Sequence, residues 1–397
     1  MLDSIYVALT GLSTFQKGLN TISNNVANLN TPGYKGRELL FSDLYYRYEA
    51  GSDGGNTTTP YTKGSGVTSG GEHLLLAQGT INSTGNDLDL AINGNGFFVL
   101  NQNGEQVYTR DGQFEFNSQG ILKSRGTDNS VLFLNGSGGL NELDINTFRT
   151  SPGKATTTVT FKNGLSTLTT PTYTTTASVF DSAGGAHTIS LTFTNNTGVT
   201  AGSWLVDVAE NSVPLTPQQE IRFNGVGLPI AGFDQFSFAY QPSISVASTT
   251  LNLNFSGTAG LTSGASSLAL NSQNGFGPGA LLKATFDTKG TVKFAYSNGQ
   301  TVNGPRIALA AFNSISALQP LGGNLFKNAN DQPIVLGNPG DSLFGTTTGG
   351  SLESSNVDLA GQFSQLIVAQ RGYQAASEVI TAANEMLQQL LQARSGK

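Results

Sequence analysis

Cysteine is absent from this 397-residue sequence, and histidine and tryptophan are rare, with two copies and one copy. The absence of thiols excludes disulfides and cysteine-ligated metal sites. His73 and His187 are far apart in the sequence, so neither has a second histidine at metal-ligand spacing. His187 lies in an apparent hairpin turn, and we expect it to be a surface residue rather than the partner of a serine nucleophile.

Charge is scarce as well, since Asp, Glu, Lys and Arg make up 12% of the residues and the formal net charge is −6. Nucleic-acid binding needs basic patches that displace counterions from phosphates, so that function is not indicated. No apolar run approaches the roughly 20 residues of a membrane span. Asp3 stands where a cleavable signal peptide carries lysine or arginine, so we expect no leader of that kind.

One pair of carboxylates has a spacing that acid–base catalysis could use. Asp87 and Asp89 lie in DLDLAI, which alternates as a half-buried strand does. We expect both side chains to point to the same solvent-exposed face, without a catalytic role. The sequence therefore predicts a protein that is not an enzyme and that has no catalytic residues, cofactor site or metal site.

A heptad pattern of apolar residues is present at each end of the chain, and it predicts a helix with one apolar seam. The N-terminal seam consists of Ile5, Ala8, Leu12, Phe15, Leu19, Ile22, Val26 and Leu29. The C-terminal seam consists of Leu366, Ala369, Tyr373, Ala376, Ile380, Ala383, Leu387 and Leu390. We expect the large residues of both seams to pack helices together, including helices of neighbouring copies.

The faces outside these seams differ between the two helices. Before Tyr34 the charged side chains are Asp3 and Lys17 alone, whereas asparagines recur at positions 20, 24 and 28. An ordinary two-helix coiled coil with an asparagine-rich end is one explanation. A helix surrounded by other copies in an assembly is the other, and we favour it because amides cost less to bury than charges. The C-terminal helix keeps a charged stripe opposite its seam, formed by Arg371, Glu378 and Glu385.

Between the helices the sequence predicts β-structure. Glycines recur at positions 96, 104, 112 and 120, and Asn103–Gly104, Asp111–Gly112 and Gln119–Gly120 predict tight turns of a β-meander. Further strand and turn patterns between residues 151 and 280 predict an inserted β domain, in which Trp204 is a core residue. The predicted domains are a helical inner domain (1–33 and 356–397), a connecting segment (34–70), a β-rich middle domain (71–150 and 281–355) and the insertion (151–280).

The helical pattern at the N-terminal end stops at a short motif rich in amides. Pro32 lacks the amide hydrogen that a continuing helix needs, and Gly33 tolerates the positive φ of a type II turn. These residues predict a corner that sends the chain out of the helix and into the β region. The motif and turn residues are Asn24, Asn25, Asn28, Thr31, Pro32, Gly33 and Tyr34.

Two motifs at opposite ends of the chain resemble a known family. SNNVANLNTPGYK (residues 23–35) resembles the N-terminal signature of bacterial flagellar rod, hook and hook-associated proteins. The stretch from ESSNVDLAGQF to EMLQQLLQ (residues 353–392) resembles their C-terminal signature, and DLDLAINGNGFFVL and YTRDGQFEFNSQG resemble their shared β domain. The resemblance covers about residues 1–145 and 281–394.

The resemblance implies a structural protein. Within the family, the length of the chain and its single insertion are most similar to the hook subunits, which assemble into a curved hollow tube that transmits torque as a universal joint. A distal rod protein is the alternative within the family, and a secreted β-rich binding module or adhesin is the alternative from another class. The implied partners are other copies of the chain, the rod, hook-cap and hook–filament junction proteins, and the flagellar type III export apparatus.

The resemblance also implies an architecture and a location outside the cell, at the hook of the flagellum. The expected fold is mainly β with terminal α-helices, in a nested and elongated arrangement. The terminal helices would form a coiled-coil-like inner tube, with the middle β domain around it and the insertion outside. Arg371, Glu378 and Glu385 would then face the water-filled channel.

Overall fold

The computed structural model describes residues 2–50, 60–166, 171–261, 264–314, 318–329 and 332–395. The chain divides into two compact units. Unit 1 contains Met1–Ile145, Ala284–Lys293 and Asn303–Lys397, and unit 2 contains Asn146–Lys283 and Phe294–Val302. The fold is mainly β with an α-helix at each end, as the sequence predicts.

The elements follow one another in three groups along the chain. The first group is α1 (Leu2–Ala27), β1 (Arg37–Asp43), β2 (Tyr46–Ala50), β3 (Pro60–Gly64), β4 (Val67–Leu74), β5 (Ile81–Ser83), β6 (Leu90–Asn93), β7 (Phe97–Gln102), β8 (Glu105–Thr109), β9 (Phe114–Phe116), β10 (Leu122–Ser124), β11 (Ser130–Leu134) and β12 (Leu140–Glu142). The second group is a 3₁₀ helix (Ile145–Phe148), β13 (Thr150–Ser151), β14 (Thr158–Ser166), β15 (Thr172–Phe180), β16 (Ala186–Asn195), β17 (Ser203–Glu210), β18 (Val213–Pro214), β19 (Gln219–Arg222), β20 (Gln235–Tyr240), β21 (Thr249–Asn254), β22 (Thr258–Leu261) and β23 (Ala269–Gln273). The third group is β24 (Gly279–Phe286), β25 (Thr291–Tyr296), β26 (Thr301–Ile307), β27 (Leu309–Phe312), β28 (Leu318–Gly322), β29 (Leu325–Asn328), β30 (Ile334–Gly337), β31 (Thr346–Gly349), β32 (Ser351–Glu353) and α2 (Leu359–Ser395).

In unit 1, the antiparallel ribbon of β1 and β4 lies against α1. Lys17 Nζ donates to Ser69 Oγ at 3.1 Å, and the rings of Phe15 and Phe41 lie 5.6 Å apart. Thr10 Oγ1 accepts from the amide of Val67, which attaches the start of β4 to α1. One side of α1 is therefore covered by β-structure of the same chain, which contributes to its low content of charged residues.

The predicted meander of unit 1 is confirmed in part. β7 and β8 form a hairpin whose turn residues, Asn103 and Gly104, have φ angles of 53° and 94°, as the Asn-Gly pair predicts. β9 and β10 form a second hairpin. The prediction of a hairpin turn at Asp111–Gly112 is wrong, because Gly112 instead lies against the backbone of Leu90 and accepts its amide hydrogen at 3.0 Å.

Unit 2 contains two five-stranded sheets packed face to face. One sheet has the order β20-β21-β14-β22 with β23 beside β14, and the other has the order β15-β16-β17-β18 with β19 beside β17. Both sheets contribute to one core, in which Trp204 is fully buried as predicted. The largest buried side chains of this core are Phe161, Phe193, Trp204, Tyr240 and Phe255.

The expectation that Asp87 and Asp89 share an exposed face is wrong. β6 begins only at Leu90, and Asp89 is buried just before it. Its Oδ1 lies 2.6 Å from Nη2 of Arg125, and its Oδ2 accepts from the Thr84 hydroxyl at 2.7 Å. The alternation of Asp and Leu thus comes from a turn in which the buried carboxylate of Asp89 pairs with Arg125, rather than from a half-buried strand.

Candidate assembly site

The two terminal helices pack against each other in an antiparallel direction. Asn25 donates to Gln362 across the pair, and Gly11 faces Ala376 nearer to the start of α1. With this register, the start of α1 lies opposite about residue 385 of α2. The last turns of α2 therefore extend past the start of α1.

A glycine of α2 lies against the ring of Phe15 from α1. A Cβ atom at Gly372 would lie 2.4 Å from Cζ of Phe15, so the ring occupies the space that any other residue would fill. The seam assigned from the sequence contains Tyr373 instead, which is 36% exposed. The sequence signal for Gly372 is its position in a helix interior, where glycine costs roughly 1 kcal/mol relative to alanine and so needs a packing reason.

The predicted seam residues differ in how far the other helix covers them. Ile22 is buried together with Ala8, Ala369 and Ala383. The remaining large residues of α1 and its end are half-buried, namely Ile5, Leu12, Phe15, Leu19, Val26 and Leu29. On α2, Leu366, Ile380 and Leu387 are half-buried, whereas Leu390 in the last turns is 54% exposed.

A second apolar row runs along α2 beside the seam and meets it at Leu390, and sequence reasoning missed the other three members of the row. Val368, Val379, Met386 and Leu390 are separated by 11, 7 and 4 residues, so they lie within one flank of the helix. These side chains remain 46–68% exposed in the single chain. A search for a second apolar row with helical spacing would have found them. The seam has the more regular spacing, so it alone is assigned as the packing face of α2.

A groove of about 440 Å³ opens where α1, β1 and α2 meet. Its walls are mostly apolar and include Phe15, Leu39, Phe41, Val368 and Ala369. Val368 belongs to both this groove and the second apolar row, so the two features form one continuous uncovered apolar surface. The charged stripe of Arg371, Glu378 and Glu385 is exposed on the other side of α2.

The chain turns away from α1 at Thr31–Tyr34. The amide of Tyr34 donates to the carbonyl of Thr31 across the turn, and Gly33 has a φ of 69°. The amide of Gly33 donates to the carbonyl of Glu353 at 2.7 Å, so the corner is attached to the segment that precedes α2. The carbonyl of Pro32 accepts from the side-chain amide of Asn324 at 2.8 Å.

The motif asparagines have different roles. Asn25 is buried, and its side chain makes four hydrogen bonds. Its Nδ2 donates to the Arg37 carbonyl and to Gln362 Oε1, while its Oδ1 accepts from the Arg37 amide and the Tyr34 hydroxyl. A charged residue could not satisfy both donors and acceptors here, which accounts for an amide at this position.

The other two asparagines lie nearer to the surface. Asn28 donates from Nδ2 to the carbonyl of Asn24 at 2.9 Å and accepts from the Thr31 hydroxyl. These bonds satisfy groups at the end of α1, where carbonyls lose their helical partners. Asn24 itself is exposed, as is Asn20 one turn earlier.

A buried ion cluster holds the corner, and it was not among the predicted site residues. Lys35 Nζ lies 2.6 Å from Glu353 Oε1, and Arg110 Nη1 lies 3.4 Å from the other oxygen of the same carboxylate. Burial lowers the pKa of Lys35, although its hydrogen bond to Glu353 opposes the shift. Burial likewise lowers the pKa of the Arg110 guanidinium against the attraction of Glu353. One carboxylate therefore serves two buried cations.

The C-terminal signature supplies a second anchor beside this cluster. Asn356 accepts from the amide of Gly36 at 2.8 Å and donates to the carbonyls of Leu75 and Ala77. Lys35 also donates to the carbonyl of Ala77. The residues just after the N-terminal motif and those just before α2 are thus joined side by side, which fixes where both helices leave the β region.

Comparison with known protein families gives three matches along the chain. A profile described as "Flagella basal body rod protein" matches residues 5–35. "Flagellar hook protein FlgE/F/G D1 domain" matches residues 91–131, and "Flagellar basal body rod FlgEFG protein C-terminal" matches residues 348–393. The first and last matches cover most of α1, its corner and most of α2.

Curated relatives are similar over almost the whole chain. The flagellar hook protein FlgE of Escherichia coli strain K12 is 31% identical over 98% of this chain and 99% of its own length. The flagellar hook protein FlgE of Salmonella typhimurium strain LT2 is 30% identical over the same shares. A solved structure, that of Helicobacter pylori flagellar hook protein FlgE2, aligns with a TM-score of 0.45 and 12% identity, covering 67% of this chain and 98% of that one.

Proposed function

Since this chain belongs to the flagellar hook protein family and is a structural subunit of the hook, we propose that α1 and α2 build the hook wall by packing against other copies. The observation that carries the proposal is the second apolar row of α2. Val368, Val379, Met386 and Leu390 leave a continuous apolar flank in water when the chain is alone. Covering such a flank gains roughly 25 cal/mol per Å² of apolar surface, which favours association.

The register of the helix pair supports the same proposal. The last turns of α2 have no part of α1 opposite them, and Leu390 and Leu391 are 54% and 65% exposed there. The groove between α1, β1 and α2 adds Phe41, which is half-exposed. A second copy that lies along this flank covers the row, the groove and the overhang together.

The proposed arrangement of layers rests on the likeness to hook proteins, and the packing of α1 against α2 supports its innermost layer. The helical segments 1–33 and 356–397 form the inner tube, 34–70 connects them to a middle layer of 71–150 and 281–355, and 151–280 lies outside. Arg371, Glu378 and Glu385 face the water-filled channel, since a charged stripe is less costly in water than between helices. Asn20 and Asn24 meet neighbouring copies, where amides can be satisfied without a paired charge.

The proposed tube is a curved universal joint that transmits torque from rod to filament. Subunits reach it through the flagellar type III export apparatus, outside the cell, and they meet rod, hook-cap and junction proteins at its ends. Contacts in the outer layer must change during each turn of a curved joint. Polar surfaces suit that exchange, because large apolar contacts would hold one arrangement. No helix in the described part of the chain is long and apolar enough to cross a membrane.

The Val379→Glu variant tests whether the second row is an assembly surface. Val379 is 46% exposed, so a glutamate there leaves the single chain folded but places a charge in the contact between copies. We expect the variant to stay monomeric in sedimentation at concentrations where the native chain polymerises. Gln374→Glu is the matched control, since it adds the same charge at an exposed position on the stripe side of α2. Equal polymerisation of both variants would exclude the row as an interface.

A strain that lacks this gene separates the hook from the rod. Basal bodies of such a strain should contain a complete rod and no hook, and the native gene and the Gln374→Glu variant should restore the hook. A rod that stops short would assign the chain to the rod instead.

A further inference from the structure

Four side chains of unit 2 form a continuous chain of polar contacts. His187 Nε2 lies 3.0 Å from Asp181 Oδ2, and His187 Nδ1 lies 2.8 Å from Glu210 Oε1. The hydroxyl of Tyr240 donates to the other carboxylate oxygen of Glu210 at 3.0 Å. The imidazole is 25% exposed and lies on β16, so the expectation of a surface turn residue is wrong.

The contacts cross from one sheet of unit 2 to the other. Asp181 follows β15, and Glu210 ends β17 in the same sheet as His187, whereas Tyr240 ends β20 in the opposite sheet. Asp181 also accepts from the amides of Ala183 and Gly185, which fixes the turn between β15 and β16. The four side chains therefore join a hairpin turn, the next strand and the facing sheet at one end of the sandwich.

The number of protons on His187 decides whether all these contacts can form. Each ring nitrogen faces a carboxylate oxygen, but a neutral imidazole carries one N–H, so only the imidazolium can donate on both sides. We propose that His187 is a protonation-dependent clamp, whose charged form joins the turn at Asp181 to Glu210, the carboxylate that Tyr240 of the facing sheet contacts. Loss of the proton turns one of the two contacts into a repulsion between lone pairs.

The charges around the ring favour the clamped form. Burial lowers the pKa of His187, but the hydrogen bonds and charges of Asp181 and Glu210 raise it more, so it lies above its ordinary value. Burial raises the pKa of Asp181, while the hydrogen bonds from His187 and from the two turn amides lower it more. Burial and the nearby Glu210 raise the pKa of Tyr240, which keeps its hydroxyl protonated as a donor.

The direction of the pH effect follows from these shifts. Because the pKa of His187 is higher in the folded chain than the value of about 6.5 in an unfolded one, its contribution is complete below that pH. The contribution disappears as the pH rises through the folded pKa. The pKa of Asp181 is lowered, so this carboxylate changes the stability of unit 2 only in acid and does not contribute to the loss at higher pH. Unit 2 should therefore lose stability between pH 6 and pH 9.

Trp204 provides a reporter for this test in the intact chain. It is the only tryptophan of the sequence and lies in the core of unit 2, so its fluorescence follows the unfolding of that unit. We expect the thermal midpoint of the native chain to fall by roughly 2–4 °C from pH 6 to pH 9. In His187→Gln that fall should be absent. Tyr240→Phe keeps the histidine and both carboxylates, so it should lower the midpoint at each pH and retain the fall.

The same pH dependence in the native chain and in His187→Gln would overturn the clamp. If His187→Gln does not fold, an NMR titration of a chain that keeps His187 tests the clamp instead. His73→Gln leaves His187 as the single histidine, and its ring signals should titrate with a midpoint above about 6.5. A midpoint at or below that value would overturn the proposal.

Discussion

Glu353→Gln is expected to lower the free energy of unfolding of unit 1 by about 3–5 kcal/mol, because it removes the one carboxylate between two buried cations. The side chains of Lys35 and Glu353 are 1% and 0% exposed, so water cannot replace the lost charge. Arg110 is also buried and would be left against Lys35. Hydrogen exchange of the buried amides of β6 and β7 against urea measures the loss.

Glu72→Gln is the matched control for this experiment. Glu72 makes the same kind of contact with Arg37 at 3.3 Å, but the two side chains are 43% and 28% exposed. Exposed pairs contribute at most about 1 kcal/mol, so this variant should be close to native. Adding Lys35→Met to Glu353→Gln should recover part of the stability, because it removes one of the unpaired cations. Equal losses for the two glutamine variants would contradict the buried cluster.

Gly33→Ala is expected to lower the free energy of unfolding by about 3 kcal/mol, from two causes that add. A φ of 69° is strained for any residue with a Cβ atom. That Cβ atom would also lie 2.5 Å from the backbone nitrogen of Asp111 and 2.6 Å from the carbonyl carbon of Arg110. Backbone atoms cannot move aside as a flexible side chain can, so the corner would separate from the β-structure below it.

Gly126→Ala separates these two causes. Gly126 has a φ of 71°, close to that of Gly33, but no atom lies within 4 Å of a Cβ atom placed there. Gly126→Ala should therefore lower the free energy of unfolding only by the cost of the dihedral angle, about 1–2 kcal/mol. Urea unfolding followed by tyrosine fluorescence compares the two variants. A loss at Gly33 no larger than the loss at Gly126 would show that the close approach to Asp111 does not matter.

The sequence predicts those parts of the fold that depend on neighbouring residues. Heptad spacing identifies both terminal helices, and the Asn103–Gly104 pair identifies the hairpin of β7 and β8. Trp204 is predicted as a core residue because it heads an apolar run in the inserted region. Each of these signals lies within a few residues of the structure that it predicts.

Contacts between distant segments could not be predicted in the same way. Lys35 and Glu353 are 318 positions apart, and neither residue type indicates the other in a single sequence. At Gly112 the Asp-Gly pair is a turn signal, but the structure needs a glycine there because the backbone of Leu90 leaves no space for a Cβ atom. On α2 the heptad count selects Tyr373, whereas the space beside Phe15 requires Gly372 one position earlier. Helical spacing alone does not determine which residue faces the partner helix.

The second apolar row shows a further limit of the sequence pattern. Val368 and Val379 are compatible with an ordinary two-helix pair until the contacts of α1 are known. Only the folded chain shows that α1 covers most of the seam and leaves this flank in water. The proposed surface for other copies therefore rests on apolar side chains that the single chain leaves exposed.

Electron microscopy of the purified chain, concentrated in the absence of other flagellar proteins, tests the central claim most directly. Self-assembly through the terminal helices predicts curved hollow tubes of uniform width from the native chain and from Gln374→Glu. It predicts dispersed monomers from Val379→Glu at the same concentration. Monomers of the native chain at every concentration, or aggregates without a uniform width, would contradict the claim.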